Sequence, residues 1–307
     1  MPYIPLKKGS KIALIGLSIG LFVANFIRVV AMLGGPEKLK YVFERVGETI
    51  IYVPVSLTFN IGILEGLILM LTPYTIVSVL NRRYVGDLET RIPFFLRELA
   101  EGIRSGHSFM HAFEEASLRS VGALGKEMRR VVTRIFFGET LEETFSRLLK
   151  RIPSAKLRRF ATIITVAAES GGRVADVLDT AARIMSLIDA FEKERKSKVK
   201  PYAITIYLSL FLFLVISFVL VEVFFKPLVG FRLLRGLVGK FNIRVYEAIF
   251  FYIGVMEAIF GGIIAGKITE GTIKASLLHI LALLLMDYVL LGYVFPLLRT
   301  LIKIPLI

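Results

Sequence analysis

The chain has 307 residues, 55% of them hydrophobic, and a net charge of +14; its mean hydropathy of +0.69 is above that of an ordinary water-facing domain. It contains no cysteine, which excludes a disulfide scaffold, a thiolate zinc site and a thiol nucleophile. The basic balance points to anionic lipid, an acidic protein or nucleic acid as partner, and the long apolar segments put lipid first.

A bilayer core takes about 20 mostly apolar residues as helix. The first such stretch is Ile12 to Leu33. Lys7, Lys8 and Lys11 precede it like the basic start of a signal peptide or a prepilin leader. The apolar run is long, however, no small-residue cleavage site ends it, and more apolar spans follow, so it reads as a retained membrane helix. A second span lies between Ile50 and Leu80, placed at Ser56 to Val79, and contains Asn60, Glu65 and Pro73.

The polar stretch Asn81 to Lys200 holds 23 basic and 16 acidic residues, an excess that places it on the cytoplasmic side. Two spans precede it, so the N-terminus with its lysines is expected inside as well. Apolar residues recur at three and four: Leu96, Leu99 and Ile103, then Val131, Ile135 and Phe136, then Leu157, Phe160, Ile163 and Ile164. That spacing predicts helices throughout. Pro93, Pro153 and Pro201 mark expected helix starts or boundaries. Gly106, Gly138 and Gly172 are 32 and 34 residues apart, each before a similar helix opening; glycine suits the left-handed residue that ends a helix. Ser108 and Thr140 are expected to cap or begin the next helices, and Glu142 and Glu143 put negative charge in an early turn.

Three more apolar stretches follow, Tyr202 to Phe225, Tyr246 to Ala265 and Ala275 to Leu298. Between the first two, Lys226, Arg232, Arg235, Lys240 and Arg244 occur without an acid. Phe231, Leu234, Val238 and Phe241 alternate with them at helical spacing, which predicts an amphipathic helix on the outer leaflet near 228–244. The expected fold is therefore all-α: a polytopic membrane protein with about five transmembrane helices and one cytoplasmic helical bundle of about six helices. Residues 1–80 supply two transmembrane helices, 81–201 the bundle, and 202–307 three transmembrane helices.

Few residues offer chemistry. His107 and His111 share a helix face, with Glu114 and Glu115 near, but a pair of histidines is short of a metal site. Gly261-x4-Gly266-Lys267 approaches a phosphate loop; Ile268 stands where Ser or Thr is needed, and the motif ends a membrane span. Gly261, Gly262, Ala265 and Gly266 read better as a small-residue ridge for close helix packing. Glu65, Glu257 and Asp287 lie inside apolar spans, where a carboxyl suggests either function or interhelical hydrogen bonding; the second is favoured. Lys193 to Lys200 precedes a span and suits anionic headgroups. No catalytic constellation is present, no cofactor is expected, and the aromatics are not interleaved with these charges as nucleic-acid binding would require.

Phe95-Leu96-Arg97-Glu98-Leu99, Ser105-Gly106, Gly138-Glu139-Thr140-Leu141 and Ala168-Glu169-Ser170-Gly171-Gly172, followed by Val177-Leu178, resemble the cytoplasmic domain of the type II secretion F family. That family includes the membrane platforms of type II secretion, type IV pili, Tad pili and the archaeal flagellum. Gly261-Gly262 to Glu270-Gly271, with His279 beyond, resembles the C-terminal membrane region of the archaeal branch. The archaeal flagellar platform is similar to two such units in one longer chain; this chain has one, as the short Tad-type members do. The resemblance implies a non-enzymatic platform in the cell membrane, a cytoplasmic secretion ATPase as partner, pilin or archaellin-like subunits passing beside it, and pairing with itself or with a sister platform. Arg97, Arg104, Arg129, Arg130, Arg158 and Arg159 are the candidate docking positions, with Glu98 and Glu101 as counterparts. The competing expectation is a secondary transporter using the three intramembrane carboxyls.

Overall fold

The computed structural model describes residues 3–4, 8–47, 49–227 and 242–301. The helices are α1 (Lys8–Met32), α2 (Leu57–Thr90), α3 (Ile92–Arg104), α4 (Phe109–Arg119), α5 (Gly122–Phe136), α6 (Leu141–Arg151), α7 (Ala155–Glu169), α8 (Val174–Val219), α9 (Ile243–Glu270), α10 (Ile273–Val289) and α11 (Phe295–Leu301). A π-helical turn continues α8 over Leu220–Phe225, and another over Leu290–Val294 joins α10 to α11. The fold is all-α apart from a small antiparallel hairpin of β1 (Phe43–Arg45) and β2 (Tyr52–Pro54), in which Glu44 pairs with Val53. Five helical stretches are long and apolar enough to cross a membrane: Gly9–Met32, Leu57–Arg104, Val174–Phe225, Ile243–Glu270 and Ala275–Leu301. The amphipathic segment expected near 228–244 lies largely outside the described residues.

Two compact units divide the chain, Met1–Lys7 with Val77–Ser197, and Lys8–Ile76 with Lys198–Ile307. The first is the polar bundle. Its centre is Phe95, fully buried, with Phe113 and Phe160 at centroid distances of 5.4 and 5.6 Å in edge-on contact and Phe145 against Phe160 at 5.9 Å. Leu88, Leu99, Leu124, Met128, Leu157, Ile164 and Leu178 close around them. The hydrophobic effect drives this core, and each fully buried side chain of this size contributes about 1.5–3 kcal/mol.

Local chemistry sets the turns. Gly106 and Gly138 have φ of 88° and 89°, conformations nearly free for glycine and costly for other residues. At the third turn Gly171 takes the left-handed conformation, with φ 61°. Ser108 caps α4, accepting from the His111 N–H, and Thr140 and Glu143 close a reciprocal capping box on α6. Pro93 sits in the first turn of α3, and Ser154 after Pro153 caps α7. Pro201 departs from the expected pattern, for it lies inside α8. It forfeits one backbone hydrogen bond, yet the helix continues on both sides, and the Thr205 hydroxyl donates to the Pro201 carbonyl at 3.1 Å.

The second unit is packed differently. Its surface carries exposed Ile12, Ile19, Ile27, Leu212, Ile216, Met256 and Phe260, and close contacts between helices lie inside. Leu64, Leu210, Leu214, Phe251, Ala258, Leu283 and Leu284 form its main core. α9 and α10 are joined by the short Gly271–Thr272 turn and lie against each other along most of their length.

Candidate functional site

The candidate residues fall in both units. In the bundle, all six expected docking arginines are exposed, and three of them are tied to groups of neighbouring elements. Arg97 donates to Ser186 Oγ at 3.2 Å. Arg104 pairs with Asp179 at 2.5 Å and Asp176 at 3.3 Å; these carboxylates hold its guanidinium pKa above the usual value. Arg129 donates to the carbonyls of Ser117 and Ser120, at 3.0 and 3.2 Å, where α4 ends, as cations at helix C-termini do. Arg158 and Arg159 are exposed, with no ion pair among the described residues. Glu98 is half-buried and Glu101 exposed. His107 lies 3.2 Å from Glu115, and its ring meets His111 edge-on at 4.8 Å.

Arg130 belongs to a group that spacing alone did not reveal. Glu127 is 1% exposed, the most deeply buried acid of the bundle. Tyr84 donates to its Oε1 at 2.5 Å, Arg130 reaches the same oxygen at 3.0 Å, and Arg151 pairs with Oε2. Arg134 and Arg147 share Glu139 at 3.3 and 3.5 Å. These four arginines with Glu127, Thr133 and Thr144 line one cleft between α5 and α6. Burying a carboxylate is costly unless it is paired and hydrogen-bonded, so Glu127 pins α2, α5 and α6 to one geometry. Lys156 does the same between α7 and α8. Burial lowers its pKa, but hydrogen bonds to Asp189 at 2.6 Å and Glu192 at 2.7 Å outweigh that and hold the ammonium above its usual value.

In the membrane unit, Gly262 packs onto the backbone of Ile280: a Cβ built on it would stand 2.6 Å from the Ile280 Cα. A Cβ on Gly266 would collide with Ser276, whose hydroxyl donates to the Ile263 carbonyl at 2.9 Å. Gly261 faces Ile206 of α8, and Ala265 is fully buried. A second ridge, at the same four-residue spacing, joins α2 to α1. Gly62 leaves room for Val29, and Gly66 for Asn25 and Phe22; Asn25 donates to the Gly62 carbonyl at 2.7 Å. The small-x-x-x-small signal used for 262 and 266 was equally present at 62 and 66.

The three intramembrane carboxyls are not brought into one cluster. Glu65 pairs with Arg28, which also holds Asn25. Glu257 accepts from Ser209 at 2.9 Å. Asp287 is fully buried, and neither of its oxygens has a hydrogen-bond partner among the described residues. His279 lies between Tyr207 and Thr269, at 3.0 and 3.3 Å. A further charged group ties the end of α8 to α9 and α11: Lys226 pairs with Glu222 at 2.7 Å, and Arg299 with Glu247 at 3.0 Å and with Glu222.

This arrangement has no nucleophile with an adjacent base and no set of ligands converging on a metal among the described residues. What it has is a charged, tightly tied helical bundle whose first and last helices run on into apolar segments. Residues 95–221, from α3 to the π-helical turn after α8, match the family model of the type II secretion system (T2SS), protein F. The chain carries a type II secretion F domain. An uncharacterized protein of Methanocaldococcus jannaschii is 26% identical over 225 residues, which cover 73% of this chain and 37% of the relative. No solved structure matches. Together with the five helices long and apolar enough to cross a membrane, the F-domain match over residues 95–221 supports a multi-pass membrane protein.

Proposed function

We propose that the protein is a non-enzymatic platform in the cytoplasmic membrane that couples a cytoplasmic secretion ATPase to the insertion of pilin or archaellin-like subunits into a type IV pilus-like or archaellum filament, or into a related secretion machine. The F-domain match over residues 95–221 carries this reading. The N-terminus is assigned to the cytoplasm with the F domain. Ile4 and Asn81 exchange two hydrogen bonds, at 2.9 and 2.8 Å, and Tyr3 packs on Tyr84 at 5.9 Å.

Arg158 and Arg159 are the docking positions of choice, because the other candidates hold the bundle together. In nanodiscs, the full chain with both changed to Glu is expected to bind its cognate ATPase about tenfold more weakly, with the wild-type affinity falling as salt rises. Unchanged capture for this variant and for charge reversals on every other exposed face would end the docking idea. The transporter reading is left with one unpartnered carboxyl, Asp287. Gradient-driven solute flux in proteoliposomes, lost in Asp287→Asn, would restore it and displace the platform.

A further inference from the structure

Arg130 and Arg134 stand four residues apart on α5, and Arg147 and Arg151 four apart on α6, so each pair shares one face of its helix. Glu127 joins Arg130 to Arg151, and Glu139 joins Arg134 to Arg147. Two rungs of guanidinium, carboxylate and guanidinium therefore cross from helix to helix, about 6 Å apart at roughly 1.5 Å per residue. All four arginines line the cleft of about 380 Å³ between these helices, with Val131 and Leu148. Each guanidinium gives one nitrogen to the acid of its rung: Nη1 of Arg130 and Arg134, Nε of Arg147 and Nη2 of Arg151. Its other two nitrogens form no hydrogen bond among the described residues. The neighbouring acids are already engaged. Glu127 also accepts from Tyr84, and Glu143, the next acid toward Arg147, accepts from the Thr140 N–H. Four cations thus face two bridging anions at close range, an excess that repels itself and attracts an anion.

We propose that this cleft binds a compact phosphate anion, two linked phosphates with one seated at each rung. Guanidinium forks match phosphate oxygens in bidentate pairs. A phosphate group also offers more acceptor oxygens than a carboxylate to the donors that each rung leaves. The cleft lies at the small end of the range for ligand sites, about 300–1,000 Å³. No aromatic ring lines it, so a nucleotide base finds no stacking surface there, and the phosphates themselves are what is recognised. The bound anion adds a link between α5 and α6, so the stability of the bundle rises with its concentration. Arg158 and Arg159 lie outside the cleft, and the site is independent of ATPase docking.

The probe is inorganic pyrophosphate without magnesium, titrated by calorimetry into the full chain in nanodiscs of zwitterionic lipid. One site per chain is expected. Arg134→Gln with Arg147→Gln strips one rung and leaves the buried Glu127 group intact; affinity is expected to fall about tenfold. Arg134→Lys with Arg147→Lys keeps the charge and loses the forks, and is expected to bind about threefold more weakly than wild type. Arg158→Gln with Arg159→Gln removes the same charge outside the cleft and is expected to leave the affinity unchanged. No binding to wild type at millimolar pyrophosphate, or equal losses in the two glutamine variants, would overturn the site. Wild-type affinity in the lysine variant would overturn the bidentate seat, and ATP or citrate binding as tightly as pyrophosphate would overturn the compact-phosphate assignment. As a second measurement, pyrophosphate is expected to raise the thermal midpoint of wild type and not that of the Arg134→Gln, Arg147→Gln variant. A midpoint raised equally in both counts against the cleft. None of these readouts involves the ATPase or the filament, so their failure leaves the platform reading untouched, and failure of that reading leaves them untouched.

Discussion

The F-domain bundle and the membrane unit are both helical, and they are held by opposite means. The bundle buries the rings of Phe95, Phe113, Phe145 and Phe160 in one core, and carries most of its charges on the surface and at turns. The membrane unit shows large side chains outward and brings helices together where side chains are smallest, at Gly62, Gly66, Gly262 and Gly266. Polar pairs such as Arg28 with Glu65 and Ser209 with Glu257 link one helix to another. Water drives the first arrangement. In lipid that drive is absent, so close backbone approach and interhelical hydrogen bonds take over. One amino-acid type thus does two things along this chain: glycine makes turns at Gly106 and Gly138 of the bundle, and it opens close contacts at Gly62, Gly66, Gly262 and Gly266 of the membrane unit.

The comparison can be broken most sharply at Phe95. Truncation to Ala leaves a cavity against two other rings, Phe113 and Phe160, and a loss of about 3–5 kcal/mol is expected, read as a lower thermal midpoint by circular dichroism. A loss below about 1 kcal/mol would mean that aromatic packing is not what holds the bundle. The membrane counterpart is Gly266→Leu. Here the larger residue is the destructive one, because it forces α10 off α9 and breaks the Ser276 hydrogen bond. A cost of about 1–3 kcal/mol is expected, measured as faster unfolding of the detergent-solubilised chain, while nucleotide affinity stays absent in wild type and variant alike. Wild-type stability in Gly266→Leu would show that the two helices separate freely.

The smallest effect sharpens the role of local chemistry in water. Thr140→Ala removes the α6 cap at an expected cost of about 1 kcal/mol. The backbone hydrogen bond from Thr140, followed by that from its side chain, holds the Glu143 carboxyl below its usual pKa. A depressed carboxyl stabilises above its unfolded value and loses that contribution as pH falls through the folded one. Acid titration should therefore narrow the gap between wild type and Glu143→Gln, which carries no charge at that position. A gap that is constant down to the acid transition would show that the reciprocal half of the capping box contributes nothing.

Much of this was legible in the residues, and the exceptions share a cause. Helical periodicity at Leu96, Leu99 and Ile103 and the apolar runs mark the helices because both signals are local. Pro201 is no helix boundary: a proline usually marks one, but in α8 the lost hydrogen bond is one among many in a long helix. Glu127 sits in the polar run Lys126 to Arg130, which resembles any solvated helix face; its partners Tyr84 and Arg151 are 43 and 24 residues away, beyond any local pattern. The β1–β2 hairpin, three residues per strand, is too short to show alternation.

Asp287 also bears on how the chain enters its membrane. It stands near the middle of the last apolar stretch, 275–301, where an aspartate adds about 2.5–3.5 kcal/mol to the free energy of leaving the insertion machinery for lipid. A helix that emerged alone would meet that barrier with the carboxyl facing hydrocarbon. α10 need not emerge alone, because the turn at Gly271 and Thr272 is too short to let α9 drift away, and Gly262 and Gly266 offer it an immediate seat. Biogenesis of this region is then concerted: the two helices partition as a hairpin, and the carboxyl passes from the aqueous channel into a protein interior without facing lipid. The small residues that shape the mature contact would thereby also set the order in which the membrane unit is built.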